Sequence, residues 1–314
     1  MGVTITGVSF SGGWSIIPPP PPGDALYGWV GGGLNPNLSS SVNRIDYSSD
    51  TSVASVRGPL VVTTRDPGAT GNANYGWFGA GENSARISIV SRITYDQDTA
   101  TASSRGPLSF SRSQLSATGN TLYGWFSGGD DNSGIYSIVD RIDYAQDTAT
   151  ASVRGPLSLA RYWIACTGNN DYDWSAGGFI TQSLSLVDRI TYATDTSVAS
   201  VRGPLSQNRY IFGATGNSSY GWFGGNSPVT TSVERIDYAA DTATASTRGP
   251  LSLARYGAAA TGSTTYGWFA AGSTPSLVST VDRIDYAQDT ATASVRGPLA
   301  TVLTVSAATG GFPG

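Results

Sequence analysis

The sequence predicts an all-β fold, a six-bladed β-propeller with four strands per blade. Three observations carry this. Four short words each occur six times along 314 residues, at intervals of 46 to 49 residues. No segment sustains the 3.6-residue apolar period of an amphipathic helix. Glycine is abundant, at 40 residues, and small or β-branched residues fill the runs between turn signals. A self-similar unit of ~45–50 residues with four short strands is the signature of a propeller blade.

The strands follow in order within each unit. The tripeptide ATG, once CTG, begins at Ala69, Ala117, Cys166, Ala214, Ala260 and Ala308. The short apolar run leading into it, such as RYWIAC or RYIFGA, reads as the first strand. YGW, once YDW, begins at Tyr27, Tyr75, Tyr123, Tyr172, Tyr220 and Tyr266, and its aromatics favour a second strand. RIDY or RITY begins at Arg44, Arg92, Arg141, Arg189, Arg235 and Arg283. In VDRIDY, Ile142 and Tyr144 fall on one face and Arg141 and Asp143 on the other, so this is the third strand. The stretch TATASV alternates small polar with small apolar residues and reads as a fourth strand, running into RGPL at Arg57, Arg105, Arg154, Arg202, Arg248 and Arg296. TGN, GGG and the AQD of YAQDT supply the turns. The repeats open on a second-strand word at Tyr27 and finish on a first-strand word, Leu303 to Gly310. The last strand is therefore expected to complete the first blade and close the ring, which hides sheet edges that invite aggregation.

Composition narrows the function. All 18 basic residues are arginines, there is no histidine, and the net charge is −4. Phosphate binding rests on clustered positive charge, so nucleic acid is excluded as a partner. The one cysteine, Cys166, allows no internal disulfide. No run approaches the ~18 apolar residues of a membrane span. The opening MGVTITGVSFSGGW lacks the charged and apolar regions of a secretion signal, and its match to a myristoylation pattern through Gly2 and Thr6 reads as chance.

These pieces resemble the kelch family. Its repeat has an Arg before the first strand, here Arg161 ahead of YWIAC, then an aromatic second strand ending in a glycine pair, here YGWF and GG. A third strand ending in Tyr and a polar turn into the fourth follow, here VDRIDY and DTATASV. The resemblance covers about residues 27–310 and implies a propeller. It departs in the fourth strand, where kelch repeats carry a Trp and this chain has TATAS. The near-verbatim wording also resembles repeat proteins of marine bacteriophages. Kelch-like copper oxidases need His ligands, which are missing, and the Ser-x-Asp-x-Gly-x-Thr-Trp box of six-bladed sialidases is not found.

Without histidine there is no Ser–His–Asp triad and no His metal ligand. Only two glutamates occur, Glu82 and Glu234, so a two-carboxylate glycosidase would have to draw on repeat-borne aspartates. The RIDY arginines and the residue two positions on (Asp46, Thr94, Asp143, Thr191, Asp237, Asp285) form either an anion-binding ring or pairs between neighbouring blades. Sixfold recurrence favours the pairs. The turn aspartates Asp50, Asp98, Asp147, Asp195, Asp241 and Asp289 are expected to bond local backbone amides.

Binding candidates sit in the variable loops between the second and third strands, since rigid scaffolds present function on loops. They are Asn35, Asn37, Glu82, Asn83, Arg86, Asp130, Asp131, Asn132, Tyr136, Phe179, Gln182 and Asn226. Asp130, Asp131 and Asn132 are the one dense oxygen cluster; without the spacing of a calcium loop they read as a solvated turn, and no metal or cofactor is expected. Tyr162, Trp163, Phe179, Tyr210 and Phe212 are either a sugar- or peptide-binding surface or core.

Residues 1–17 form an extension, 18–26 a polyproline linker and 27–314 the propeller. Pro18 to Pro22 read as a semi-rigid spacer. Ahead of them, an alternating segment with Val3, Ile5, Val8, Phe10 and Trp14 is expected to dock on other virion proteins or on a second copy, the alternative being a frayed terminus or a strand folded back on the ring. The expected function is a non-enzymatic structural or adhesive module of a phage tail, fibre or decoration, released by lysis, with a host surface receptor or glycan as target. A free-standing lectin and a glycan-cleaving enzyme are the alternatives.

Overall fold

The computed structural model describes residues 26–310, so the extension with its anchor side chains, the linker up to residue 25 and the last four residues lie outside the described residues. Six four-stranded antiparallel sheets form the blades of a propeller. The second blade shows the pattern, with an inner strand Gly68–Gly71, a second Tyr75–Gly79, a third Val90–Thr94 and an outer strand Ser103–Arg105. In the first blade the inner strand is the C-terminal Ala307–Gly310, which pairs with Tyr27–Gly31 in the register Gly28↔Gly310 to Gly31↔Ala307. The ring thus closes as expected.

Each pair of adjacent blades encloses one apolar core. Between the second and third blades, Trp77, Val90 and Leu108 meet Leu115, Phe126, Ile142 and Tyr144. The channel wall is made of small side chains, Ala69, Ala117, Ala214, Ala260 and Ala308 with Cys166. Burial pushes the Cys166 thiol far above its ordinary range, so it behaves as a small core residue.

Several sequence expectations need correction. The first strand is the ATG word with the residue before it, as in Ala165–Gly168, and the run RYWI ahead of it lies in the blade-to-blade loop. The fourth strand is only three residues, as in Ser152–Arg154, and the TATA stretch before it is not paired within its own sheet. Its backbone crosses the seam instead. The carbonyl of Asp147 accepts from Gly106 N at 2.8 Å, and Ala151 N donates to Pro107 O at 2.9 Å. This close approach is why RGPL carries glycine: a Cβ on Gly155 would lie 1.9 Å from Ser197 O. The third strand also stops before its tyrosine. Tyr144–Gln146 is a 3₁₀ turn, and Asp143 caps it by accepting from Ala145 N.

The seams explain the remaining repeated residues. The turn aspartates, expected to bond local backbone amides, reach across the seam instead. Each accepts from the previous blade's tryptophan Nε1 at 2.8–3.0 Å, as Asp195 does from Trp125. The third-strand arginine of that blade reaches the same carboxylate at 2.9–3.0 Å, and the RGPL arginine lies 3.3–3.6 Å away. The RIDY arginines are therefore inter-blade partners, but of the next blade's turn aspartate, not of the residue two positions on. The RIDY tyrosine of the next blade stacks on the tryptophan with ring centroids 3.7–3.9 Å apart. The seam between the sixth and first blades, Trp268 and Arg283 on Asp50 with Tyr47 stacked, is built like the others.

Candidate functional site

Because strands alternate in direction, the loops between second and third strands share one face of the disc with the blade-to-blade loops. At that face the blade-to-blade loops converge on the channel. Three residues before each ATG word stands a position with left-handed backbone: Asp66 (φ 53°), Gln114 (58°), Trp163 (54°), Ile211 (54°), Gly257 (66°) and Val305 (48°). These six residues are joined in a circle. Gln114 N donates to Asp66 O, Trp163 N to Gln114 O, Ile211 N to Trp163 O, Gly257 N to Ile211 O, Val305 N to Gly257 O and Asp66 N to Val305 O, at 2.7–3.3 Å. A β-branched residue at positive φ is a genuine outlier, and Ile211 and Val305 are two. The axial ring of hydrogen bonds over-determines the conformation and holds it.

The side chains on this identical backbone are all different, whereas the seam residues scarcely vary. Together they line a mouth opening on a cavity of about 120 Å³. Two unlike sectors flank the mouth. On the charged side, Glu82 takes Arg65 at 2.8 Å and Arg86, and Arg86 also reaches Asp130 at 3.1 Å and Asn132 Oδ1 at 2.9 Å. Asp66 lies beside this network, and burial pushes its carboxyl up to about 7, with Arg65 opposing and Glu82 adding to the rise. On the apolar side, Tyr162, Trp163, Phe179 and Tyr210 form one half-buried group, with centroids 4.7 Å (Tyr162–Trp163), 5.6 Å (Trp163–Tyr210) and 5.0 Å (Phe179–Tyr210) apart.

The sequence candidates divide accordingly. Glu82, Arg86, Asp130 and Asn132 are brought together. Asp131 instead accepts from Tyr136 OH at 2.8 Å and from two turn amides, and the tyrosine hydrogen bond holds its carboxyl below the usual range. Protein donors thus engage the Asp130–Asn132 side-chain oxygens, Asp130 Oδ1 excepted. Asn226 is buried scaffolding, accepting from Tyr210 N and donating to Asn208 O. Phe179 joins the aromatic sector, Gln182 and Asn83 lie on loops next to it and to Glu82, and Asn35 and Asn37 pair in a small hairpin on the first blade. Of the five aromatics left between surface and core, only Phe212 is core. Sequence reasoning missed Asp66, Gln114, Ile211 and Val305. Aligning the repeats on ATG exposes them, because the column three residues earlier never repeats a residue.

Four further arginines stand buried within blades. Arg112, Arg161, Arg209 and Arg255 have fully buried side chains paired with Asp140, Asp188, Glu234 and Asp282 at 2.7–3.0 Å. With these, all 18 arginines have a carboxylate within salt-bridge distance. No protein-family model and no curated protein matches the chain. The class that its fold defines is the six-bladed β-propeller repeat protein.

Proposed function

We propose that this protein is a non-enzymatic, kelch-like binding module that presents the channel mouth and its flanking loops to a partner. One observation carries the reading: six equivalent mouth positions share a strained backbone and bear six different residues, while the seams repeat almost verbatim. Uniform seams build a frame, and a variable ring on that frame is what recognition uses. Within this reading the disc belongs to a virus particle, as a tail, fibre or decoration component. It is held off by the polyproline spacer, anchored to other virion proteins or to a second copy by residues 1–17, and directed at a host surface receptor. The phage-like wording of the repeats supports that setting.

The test is deletion of residues 1–17. The truncated protein is expected to keep its melting point and its adsorption to a panel of whole bacterial cells, and to lose incorporation into particles or oligomers. Undiminished assembly would remove the anchor and favour a free-standing lectin. A different reading, a glycan-cleaving enzyme, would draw on Asp66, whose carboxyl burial pushes up to about 7, with Glu82 and Asp130 adding to the rise. The binding reading expects no turnover of oligosaccharides. Turnover abolished by Asp66→Asn would replace it.

A further inference from the structure

Within the binding reading, on which this inference rests, the aromatic sector is the part of the mouth with a recognisable chemistry. Its four rings are held in place by backbone. Tyr162 and Phe179 exchange two backbone hydrogen bonds, at 3.2 and 2.8 Å. Trp163 is fixed by the axial ring, its N donating to Gln114 O at 2.7 Å, and Tyr210 N is held by Asn226. A surface arranged in advance loses little entropy on binding.

The polar atoms of this sector are unlike those elsewhere. The six seam tryptophans each donate Nε1 to an aspartate. Trp163 Nε1 is buried, lies on a residue lining the mouth cavity, and has no acceptor among the described residues. The Asp130 charge reaches the Tyr162 phenol, which burial and that charge push up. A buried donor or acceptor left unmatched is costly, and a ligand that matches it recovers that cost.

Three ligand classes fit poorly. An anion has no free base to meet, because every arginine already faces a carboxylate and the mouth holds Asp66, Glu82, Asp130 and Asp131 against Arg65 and Arg86. A wholly apolar ligand leaves Trp163 Nε1 unmatched. A quaternary ammonium needs an aromatic cage, and these rings pack directly on one another, with centroid separations of 4.7–6.2 Å. What remains is a neutral ring with an apolar face and hydroxyls at its edge. Tyrosine and tryptophan, apolar in body and polar at the tip, match both. We propose that the sector formed by Tyr162, Trp163, Phe179 and Tyr210 binds a neutral glycan, the apolar face of a sugar ring covering the aromatic rings and its hydroxyls meeting the polar edges of the tyrosines and the tryptophan.

The experiment uses the full chain with neutral gluco-, galacto- and manno-oligosaccharides, and their sialylated or sulfated counterparts, on an array and in solution titrations. At least one neutral glycan is expected to bind and to change tryptophan fluorescence. Trp163→Gly suits the left-handed backbone, as Gly257 shows, and is expected to weaken binding at least tenfold with an unchanged melt. Val153→Ala, on an exposed outer strand away from the mouth, is expected to leave binding unaltered. Tighter binding of the acidic glycans, or neutral-glycan binding untouched by Trp163→Gly, overturns the proposal. So does an array without any binder. If cells are still adsorbed, and protease treatment of the cells abolishes it, the mouth reads a protein: the glycan assignment falls while the binding module stands.

Discussion

Asp173 stands where the other five repeats have the glycine of YGW. In those repeats a Cβ would press on the seam tyrosine hydroxyl and a threonine of the preceding blade, as at Gly221 against Tyr238 and Thr167. Asp173 is fully buried, accepts from Ser175 Oγ at 2.7 Å, and has its other oxygen unmatched. Burial, reinforced by Asp188 and opposed by Ser175 and Arg161, pushes its carboxyl from 3.8 up to about 7. In the unfolded chain it ionises near 4, so folding holds a proton that the unfolded state has released. Stability should therefore fall as pH rises from about 4 to about 7 and level off above, with a loss on the order of 4 kcal/mol. Asp173→Gly should flatten that slope in urea titrations between those pH values; an unchanged slope would reject this assignment. A second residue-scale test uses the chain's own variation. Where four repeats bury an Arg and an acid, the first blade has Leu303 and Asn43, and the second has Thr64 and Ser91. Partners change together because a lone buried charge costs ~3–5 kcal/mol. Arg161→Leu should cost about that much by denaturant unfolding, and adding Asp188→Asn should restore most of it.

The seam is the unit of construction at the element scale. Asp195 gathers Trp125 Nε1, Arg141 and Arg154, and Arg141 also lies over the Tyr123 ring at 4.3 Å. Arg141 keeps about a fifth of its side chain exposed, so its loss is tempered by solvent. Arg141→Ala should cost ~1–2 kcal/mol, within the range of charge-assisted hydrogen bonds. Asp195→Ala removes the shared acceptor and should cost clearly more; equal losses in thermal melts would show that the three donors do not act together. The words of the seam were plain in the sequence and their partners were not. Four of the six repeats offer the same Arg and two carboxyl positions, so within them spacing alone cannot choose between Asp143, two residues on, and Asp195, 54 residues on. The fourth strand was overextended for a related reason. Alternation in TATASV looks like sheet pairing, yet those backbone groups bond across the seam, and sequence period does not report which partner a strand-like segment meets.

At the scale of the whole molecule, blade count and closure were legible because both follow from repetition and from the words at which the repeats begin and end. Removing Leu303 to Gly314 should expose the Tyr27–Gly31 edge and break the axial ring at Val305. The cooperative melt should be replaced by aggregation, and a preserved melt would mean the ring closes otherwise. The mouth was only partly legible. Its loop acids were found as variable residues, but the axial ring consists of backbone bonds at positive φ, and nothing in Asp, Gln, Trp, Ile or Val announces that conformation. Glycine is the residue the conformation prefers, and Gly257 already occupies one of the six places. This permits the most direct test of the claim that seams hold the frame and the ring reads a partner. In a variant carrying Asp66→Gly, Gln114→Gly, Trp163→Gly, Ile211→Gly and Val305→Gly, relief of strain offsets the added chain entropy of glycine. Its melting point should stay within about 5 °C of the parent, a shift worth roughly 1–3 kcal/mol in a chain of this size, while adsorption to whole bacterial cells is lost. A collapsed melt, or adsorption that survives all five changes, would contradict the division of the molecule into frame and reading face.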